Sequence, residues 1–266
     1  MAQSASETIY LQALQDAHRD EVSSSDNLPF LLRPKSVTQA ALLVHGFTAS
    51  PHEMRPVAER LAQAGIASYA VRLPGHGATP ADLSRRRWQE WLHEVETGYQ
   101  LLKSDFDTVS GIGMSTGCLL LALLATNHPL QKLVLFSPYL RIRHKLAPLA
   151  GWLRWVKPYH GKPTQLADPH YYQRRPVAGV HQINLLIKTL KPMLPQVDCP
   201  TLAFTAENDK IVDPNSGEEL IKRLGSASKE HIRLGPEVGH VMIAPETPGR
   251  EEIFAKMINF IQESAG

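Results

Sequence analysis

The chain has 266 residues, 43% of them hydrophobic, with 28 Lys/Arg against 26 Asp/Glu. That supplies a large core for one α/β unit with an insertion or for two small domains, and the balanced charge argues against a nucleic-acid binder. Two cysteines, Cys118 and Cys199, cannot build a disulfide framework, and no apolar run reaches the roughly 18 residues of a membrane span, so the expected location is cytoplasmic, or peripheral at a membrane.

From the N-terminus, Ser4 to Asp26 alternates polar residues with isolated Ile9, Leu11 and Leu14, which is no signal peptide and predicts a short amphipathic helix or a loose tail. Residues 1–37 are expected to be an extension leading into the core. Ala40 to His45 predicts a buried strand, Glu53 to Ala64 a helix ending near Gly65, and Ile66 to Leu73 a second strand. A long helix from about Arg86 to Lys103 follows, then a β-branched stretch (Thr108, Val109, Ile112), a helix from Cys118 to Ala125 and the strand Lys132 to Ser137. Leu202 to Ala206, a helix from about Pro214 to Leu224, Glu230 to Leu234 and a last helix from Arg250 to Gln262 close the pattern. This alternation predicts an α/β fold, a mostly parallel sheet with helices on both faces, whose functional residues sit in loops at the carboxyl ends of the strands. Between Pro138 and Asp198 the alternation breaks, and 138–198 is expected to be a cap or lid inserted between core segments 38–137 and 199–266.

The run Gly111-Ile112-Gly113-Met114-Ser115-Thr116-Gly117 places a serine inside G-x-S-x-G, after a strand and before a helix. Glycines on either side let the chain bend sharply and push the Ser115 hydroxyl into the open, at a helix N-terminus that favours developing negative charge. A dinucleotide-binding turn would need a third glycine where Thr116 stands and a carboxylate ending the next strand, which instead reads Leu135-Phe136-Ser137-Pro138.

A serine hydroxyl needs a base, and twelve histidines compete for that role. His240 leads, because it lies just after the last predicted strand, at the same edge as Ser115. Asp209, in the loop after Leu202 to Ala206, is chosen as the carboxylate that orients the imidazole. Asp213 precedes Pro214 and reads as a helix N-cap; Glu207 is the substitute acid. Two N–H donors must meet the oxyanion: the amide of Thr116, next to the nucleophile, and the amide of Phe47, in the turn His45-Gly46-Phe47-Thr48. The remaining histidines, such as His93, His144, His170 and His231, are expected at the surface or in packing. His52-Glu53 does not extend to a zinc motif, since Pro56 occupies the second histidine's place. No metal or organic cofactor is expected.

With these pieces in order, the chain resembles the α/β-hydrolase superfamily, and more narrowly the bacterial carboxylesterases and monoacylglycerol lipases. The matching parts are His45-Gly46-Phe47, Pro74-Gly75-His76-Gly77, the Ser115 turn, the Asp209 loop with Val212, and Gly239-His240, spread over about residues 38 to 263 in the order Ser, Asp, His. The resemblance implies a serine hydrolase that cleaves carboxylic esters, such as monoacylglycerols or medium-chain acyl esters, through an acyl-enzyme on Ser115, Asp209 and His240, with His45 and His76 as structural residues of their loops. Two departures stand out. Cys118 replaces the second glycine many relatives carry after Gly117, and Thr116 replaces an apolar residue, offering a hydroxyl that could add a contact to the oxyanion. The alternatives are a thioesterase or carbon–carbon bond hydrolase with the same three residues, or a non-catalytic receptor with a hydrolase-like pocket.

The insertion 138–198 holds ten Lys/Arg and two acids, 10 − 2 = +8, which leaves (28 − 10) − (26 − 2) = −6 for the remainder. Within it Leu146, Leu149, Trp152 or Leu153, and Val156 recur at helical spacing. The plain expectation is that this stripe packs over the site while the charges face water. The sharper one is that the basic lid contacts an anionic lipid surface or acidic substrate, with Trp152 and Trp155 at the interface.

Overall fold

The Ser4 hydroxyl accepts the Glu7 amide at 3.2 Å and starts helix α1 (Ala5–Arg19), so the N-terminal segment is the amphipathic helix rather than a loose tail. The computed structural model of the protein describes residues 4–35, 37, 39–161 and 170–263. After α1 come β1 (Phe30–Leu32), β2 (Ala40–Val44), α2 (Arg55–Gln63), β3 (Ala67–Ala70), α3 (Pro80–Arg85), α4 (Trp88–Lys103), β4 (Val109–Met114), α5 (Thr116–Leu124) and β5 (Leu133–Phe136). The interval that follows carries α6 (Ala150–Val156), the short antiparallel pair β6 (Tyr159–His160) and β7 (Arg175–Pro176), and α7 (Val177–Leu190). Then β8 (Thr201–Ala206), α8 (Pro214–Arg223), β9 (Lys229–Leu234) and α9 (Arg250–Gln262) complete the chain.

Seven strands form one sheet in the order β1-β3-β2-β4-β5-β8-β9, parallel except for β1, which pairs antiparallel with β3. The two-residue period of β2 divides the core: Ala40, Leu42 and Val44 join one apolar cluster, Ala41 and Leu43 the other. On the first face lie Trp91 and Val95 of α4, every side chain of α5 from Cys118 to Leu124, and Ile183, Leu186 and Ile187 of α7. Val57, Ala58 and Leu61 of α2 and Ile253, Phe254 and Met257 of α9 cover the second. This is the mostly parallel, doubly covered sheet expected from the sequence.

Local chemistry explains where element boundaries differ from expectation. The helix foreseen from Glu53 opens as a 3-10 turn over Pro51–Met54, and the α-helix begins only at Arg55, with Pro56 in its first turn, where the missing N–H costs nothing. The helix foreseen from Arg86 is two. Thr79 caps α3 through a 3.1 Å bond from the Asp82 amide, the chain extends at Arg86 and Arg87, and the Glu90 carboxylate accepts the Arg87 amide at 2.6 Å to begin α4. β1 lies within the segment read as a lead-in, yet it adds an edge strand to the sheet. The apolar stripe of the interval is also turned differently: Leu146, Leu149, Trp152, Trp155 and Val156 are 50–78% exposed, while Ala147 and Ala150 face inward.

Two contacts fix the carboxyl end of the sheet. A Cβ on Gly117 would stand 2.1 Å from the Val44 carbonyl oxygen, and one on Gly113 2.7 Å from the Gly117 carbonyl carbon, so α5 sits directly on β2 and β4. Cys118 keeps this packing, its thiol wholly buried with Sγ 3.2 Å from the carbonyl oxygens of Gly113 and Phe136. The second contact is His45, which pins the loop after β2 to that after β3. Its Nδ1–H donates to the Gly46 carbonyl at 2.9 Å, and its Nε2 accepts the Leu73 amide at 3.2 Å. Acceptance of the Leu73 amide at Nε2 requires the neutral ring; burial, partly countered by the Gly46 bond, lowers its pKa to about 4. His76 packs edge-on against it at 5.0 Å and is likewise pushed well below the usual histidine value, first by burial.

Gly117→Ala should destabilise by about 3 kcal/mol or prevent folding, because rigid backbone blocks the new methyl. Gly239→Ala, whose Cβ would meet nothing within 4 Å, should stay within about 0.5 kcal/mol of the parent. Thermal unfolding of both variants checks this pair. Stability should also fall as pH drops below the unfolded histidine value of 6.5 toward about 4, since unfolding then lets His45 and His76 take up protons that the folded rings refuse. Each such proton is worth about 1.4 kcal/mol per pH unit. Glu94, raised by burial to about 7, acts in the opposite sense, so two rings against one carboxyl leave a net loss. A urea midpoint that holds or rises between neutral and mildly acid pH would contradict this.

Candidate active site

Three strands end in non-glycine residues with positive φ: Thr48 (φ 68°) beyond β2, Ser115 (φ 53°) after β4 and Ser137 (φ 53°) after β5. Each such residue costs about 1–3 kcal/mol and persists only where its surroundings over-determine it. At Ser115 the determinants are visible. Its amide donates to the Phe136 carbonyl at 2.8 Å, α5 starts at the next residue, and the closely packed glycines leave no room for another path.

His240 sits in the irregular segment between β9 and α9, and its carbonyl accepts the Ser137 hydroxyl at 2.7 Å. Its Nε2 stands 2.9 Å from Ser115 Oγ and its Nδ1 2.6 Å from Asp209 Oδ2. The other Asp209 oxygen accepts the amides of Ile211 and Val212 at 2.8 and 3.0 Å. Burial would raise this carboxyl's pKa, but the His240 hydrogen bond and charge, with the two amides, outweigh it and hold the group below its ordinary value. An ionised carboxylate can only accept, so Nδ1 carries the proton and Nε2 is left to accept from the Ser115 hydroxyl.

Phe47 and Thr116 line the same cleft, about 260 Å³, as Ser115 and His240. The Thr116 amide is the first of α5 and has no acceptor within the helix. The Thr116 hydroxyl lies 2.9 Å from the buried Tyr139 hydroxyl. Glu207 is exposed, and Asp213 caps α8 by accepting the Asn215 amide at 3.0 Å.

Sequence reasoning missed several supports. Glu53 is buried beside Ser115, accepting the Gly46 amide at 2.6 Å on one oxygen and the Tyr171 hydroxyl at 3.0 Å on the other, and so braces the turn that carries Phe47. Arg143 donates to the Asp209 carbonyl at 2.6 Å. Ser137 was visible only as the residue ending a strand next to β4, with nothing local to mark its reach to His240. Among the described residues, Asp26, His52 and His170 place ligand-type atoms within 4.8 Å of one another. The two imidazoles, however, stack at 3.6 Å with planes 14° apart, and an ion must lie near the plane of each ring it binds, so the rings as placed cannot share one.

Comparison with known proteins agrees with this architecture. Residues 35–176 match the family model described as serine aminopeptidase, S33. The chain is 33% identical over 198 residues to the thermostable monoacylglycerol lipase of Bacillus sp. (strain H-257), covering 73% of this chain and 79% of that protein. It is 24% identical over 214 residues to a carboxylesterase of Bacillus subtilis (strain 168), covering 78% and 87%. A solved structure from the metagenome-derived lipolytic enzymes LipS and LipT superposes with a TM-score of 0.80 at 25% identity, covering 90% of this chain and 99% of that one. The chain therefore belongs to this serine hydrolase family, as an α/β-hydrolase of the carboxylesterase and monoacylglycerol-lipase type, and is a carboxylic ester hydrolase.

Proposed function

We propose that Ser115 is the nucleophile, His240 the general base and acid, and Asp209 the group that orients and balances the imidazole, acting on monoacylglycerol-like or medium-chain acyl esters. The observation that carries this reading is the single imidazole hydrogen-bonded to Ser115 Oγ on one side and Asp209 on the other. As Oγ attacks the ester carbonyl carbon, its proton passes to His240 Nε2 and the carbonyl π pair moves to oxygen, where the Phe47 and Thr116 amides receive it. Collapse breaks the C–O bond to the alcohol, which leaves with the proton from Nε2. Water then attacks the acyl-Ser115 carbonyl, giving its proton to Nε2; the second collapse returns that proton to Oγ and frees the acid. The apolar neighbours Ile142, Val180, Ile183 and Ile211 suit an alkyl chain, and the relatives named as a monoacylglycerol lipase and a carboxylesterase favour the same substrate class.

The interval 138–198 is read as a cap over this cleft. Leu149, Trp152, Trp155 and Val156 stand exposed beside Lys145, Arg154 and Lys157, a combination that suits contact with an anionic lipid surface. No helix among the described residues is long and apolar enough to cross a membrane.

Ser115→Ala should lower kcat on p-nitrophenyl esters by about 10⁴-fold or more with KM little changed. Asp209→Asn should cost about 10⁴-fold by presenting the wrong partner to Nδ1. Steady-state kinetics on esters of graded chain length tests both, and near-parental rates in either variant would remove that residue from the mechanism. Vesicle co-sedimentation tests the surface contact. Binding should be stronger to phosphatidylglycerol-containing vesicles than to phosphatidylcholine alone, with a blue shift of tryptophan emission; equal binding would eliminate the electrostatic part.

A further inference from the structure

Beside the Ser115 cleft lies a larger cavity of about 480 Å³. Ile142, Arg175, Val180 and Ile211 stand in the walls of both, so the two spaces adjoin. The inner lining of the larger one is apolar, with Ala147, Ala150, Leu153 and Val177 among its walls. The polar residues in its lining are all basic: Arg143, Lys157, Arg175 and Lys210, with His144 and His160. No carboxylate among the described residues lines it.

These cations are also unneutralised. Several arginines elsewhere are paired, as Arg141 is with Asp213 and Glu219, and Arg86 with Asp20 and Asp82. Among the described residues, none of Arg143, Lys157, Arg175 and Lys210 has a carboxylate within 4.0 Å, and Arg143 spends one N–H on the Asp209 carbonyl. The field is felt locally. His160 is held below the usual histidine value first by burial, then by His144, Lys157 and Arg175. Four exposed basic residues set around one apolar space repel one another, and an anion held among them relieves the repulsion.

We propose that this cavity is the subsite for a negatively charged group, a carboxylate or a phosphate, carried on the part of the substrate remote from the scissile ester, so that the enzyme prefers anionic esters over neutral ones. The inference rests on Ser115 being the nucleophile and names the substrate class of that same site. Methylenes lie along the apolar walls while the anion meets the guanidinium and ammonium groups. The hydrolysis itself is unchanged.

The test uses matched ester pairs. In one arm, p-nitrophenyl esters of straight-chain acids are compared with the same chains ending in a carboxylate; in the other, a monoacylglycerol is compared with the same molecule phosphorylated on a free hydroxyl. The readout is the ratio of kcat/KM, charged over neutral, for the parent protein, for Arg175→Gln and for the double variant Lys157→Gln/Lys210→Gln, whose lysines are exposed. In at least one arm the ratio should fall by about tenfold in the variants, and the parent's ratio should shrink as salt rises. A response to the terminal carboxylate places the anion on the acyl side, and a response to phosphate places it on the alcohol side. Calorimetric binding of a straight-chain dicarboxylate against the monocarboxylate of equal length supplies a readout that needs no turnover. Ratios unchanged by the variants in both arms would overturn the proposal, and equal affinities for the two acids would overturn its acyl-side form. Neutral esters turned over normally in that case would leave the Ser115 reading standing, whereas an inactive parent protein that still prefers the dicarboxylate would remove the Ser115 reading alone.

Discussion

The backbone contact between the start of α5 and the end of β2 constrains everything at this rim. Because neither Gly113 nor Gly117 carries a Cβ, the helix can begin against the sheet, and the one residue between β4 and α5 must turn through φ 53°. Ser115 takes that turn. Its hydroxyl consequently projects from the carboxyl edge while its own backbone stays tied to β5, and the helix N-terminus behind it supplies the amide of Thr116. A larger residue at position 117 would push α5 off Val44 and dissolve the turn, whatever the chemistry of the side chain at 115.

The remaining polar groups divide into those that must stay neutral and those that must stay charged. His45 and His76 are buried as neutral rings, and their task is mechanical, holding the loops after β2 and β3 together. Asp209 is charged yet nearly enclosed, tolerable because both oxygens have partners: amides on one, imidazole on the other. Glu53, in contact with the Gly46 amide, fixes the turn that aims Phe47 at the cleft. The body of the chain is acidic and the interval after β5 basic, and Arg143, Lys157 and Arg175 of that interval line the cavity beside the cleft.

Much of this was legible without coordinates because the signals are local. Gly113-x-Ser115-x-Gly117 between a strand and a helix announces a tight turn, Asp213-Pro214 announces a helix start, and α9 was bounded at Arg250 and Gln262 from its periodicity alone. The chain order of Ser115, Asp209 and His240 followed from asking which residues fall at one edge of a parallel sheet. What escaped depends on non-local contact. β1 is three residues long and gains its identity only by pairing with β3. Ser137 and Arg143 resemble any residues after a strand until the backbone carbonyls of His240 and Asp209 arrive beside them. Glu53 read only as the start of a helix until the fold set it against the Gly46 amide. The apolar stripe from Leu146 to Val156 had the right period, but periodicity gives a face and not what that face meets, and most of it meets solvent.

The most direct test of the central claim, that one imidazole links the Ser115 hydroxyl to Asp209 so that the hydroxyl becomes a nucleophile, is reaction with a fluorophosphonate followed by peptide mapping. One phosphonyl group per chain should appear on the peptide containing Ser115, and replacing His240 by alanine should slow its appearance by orders of magnitude. A label found on another residue, or a labelling rate indifferent to the loss of His240, would contradict it.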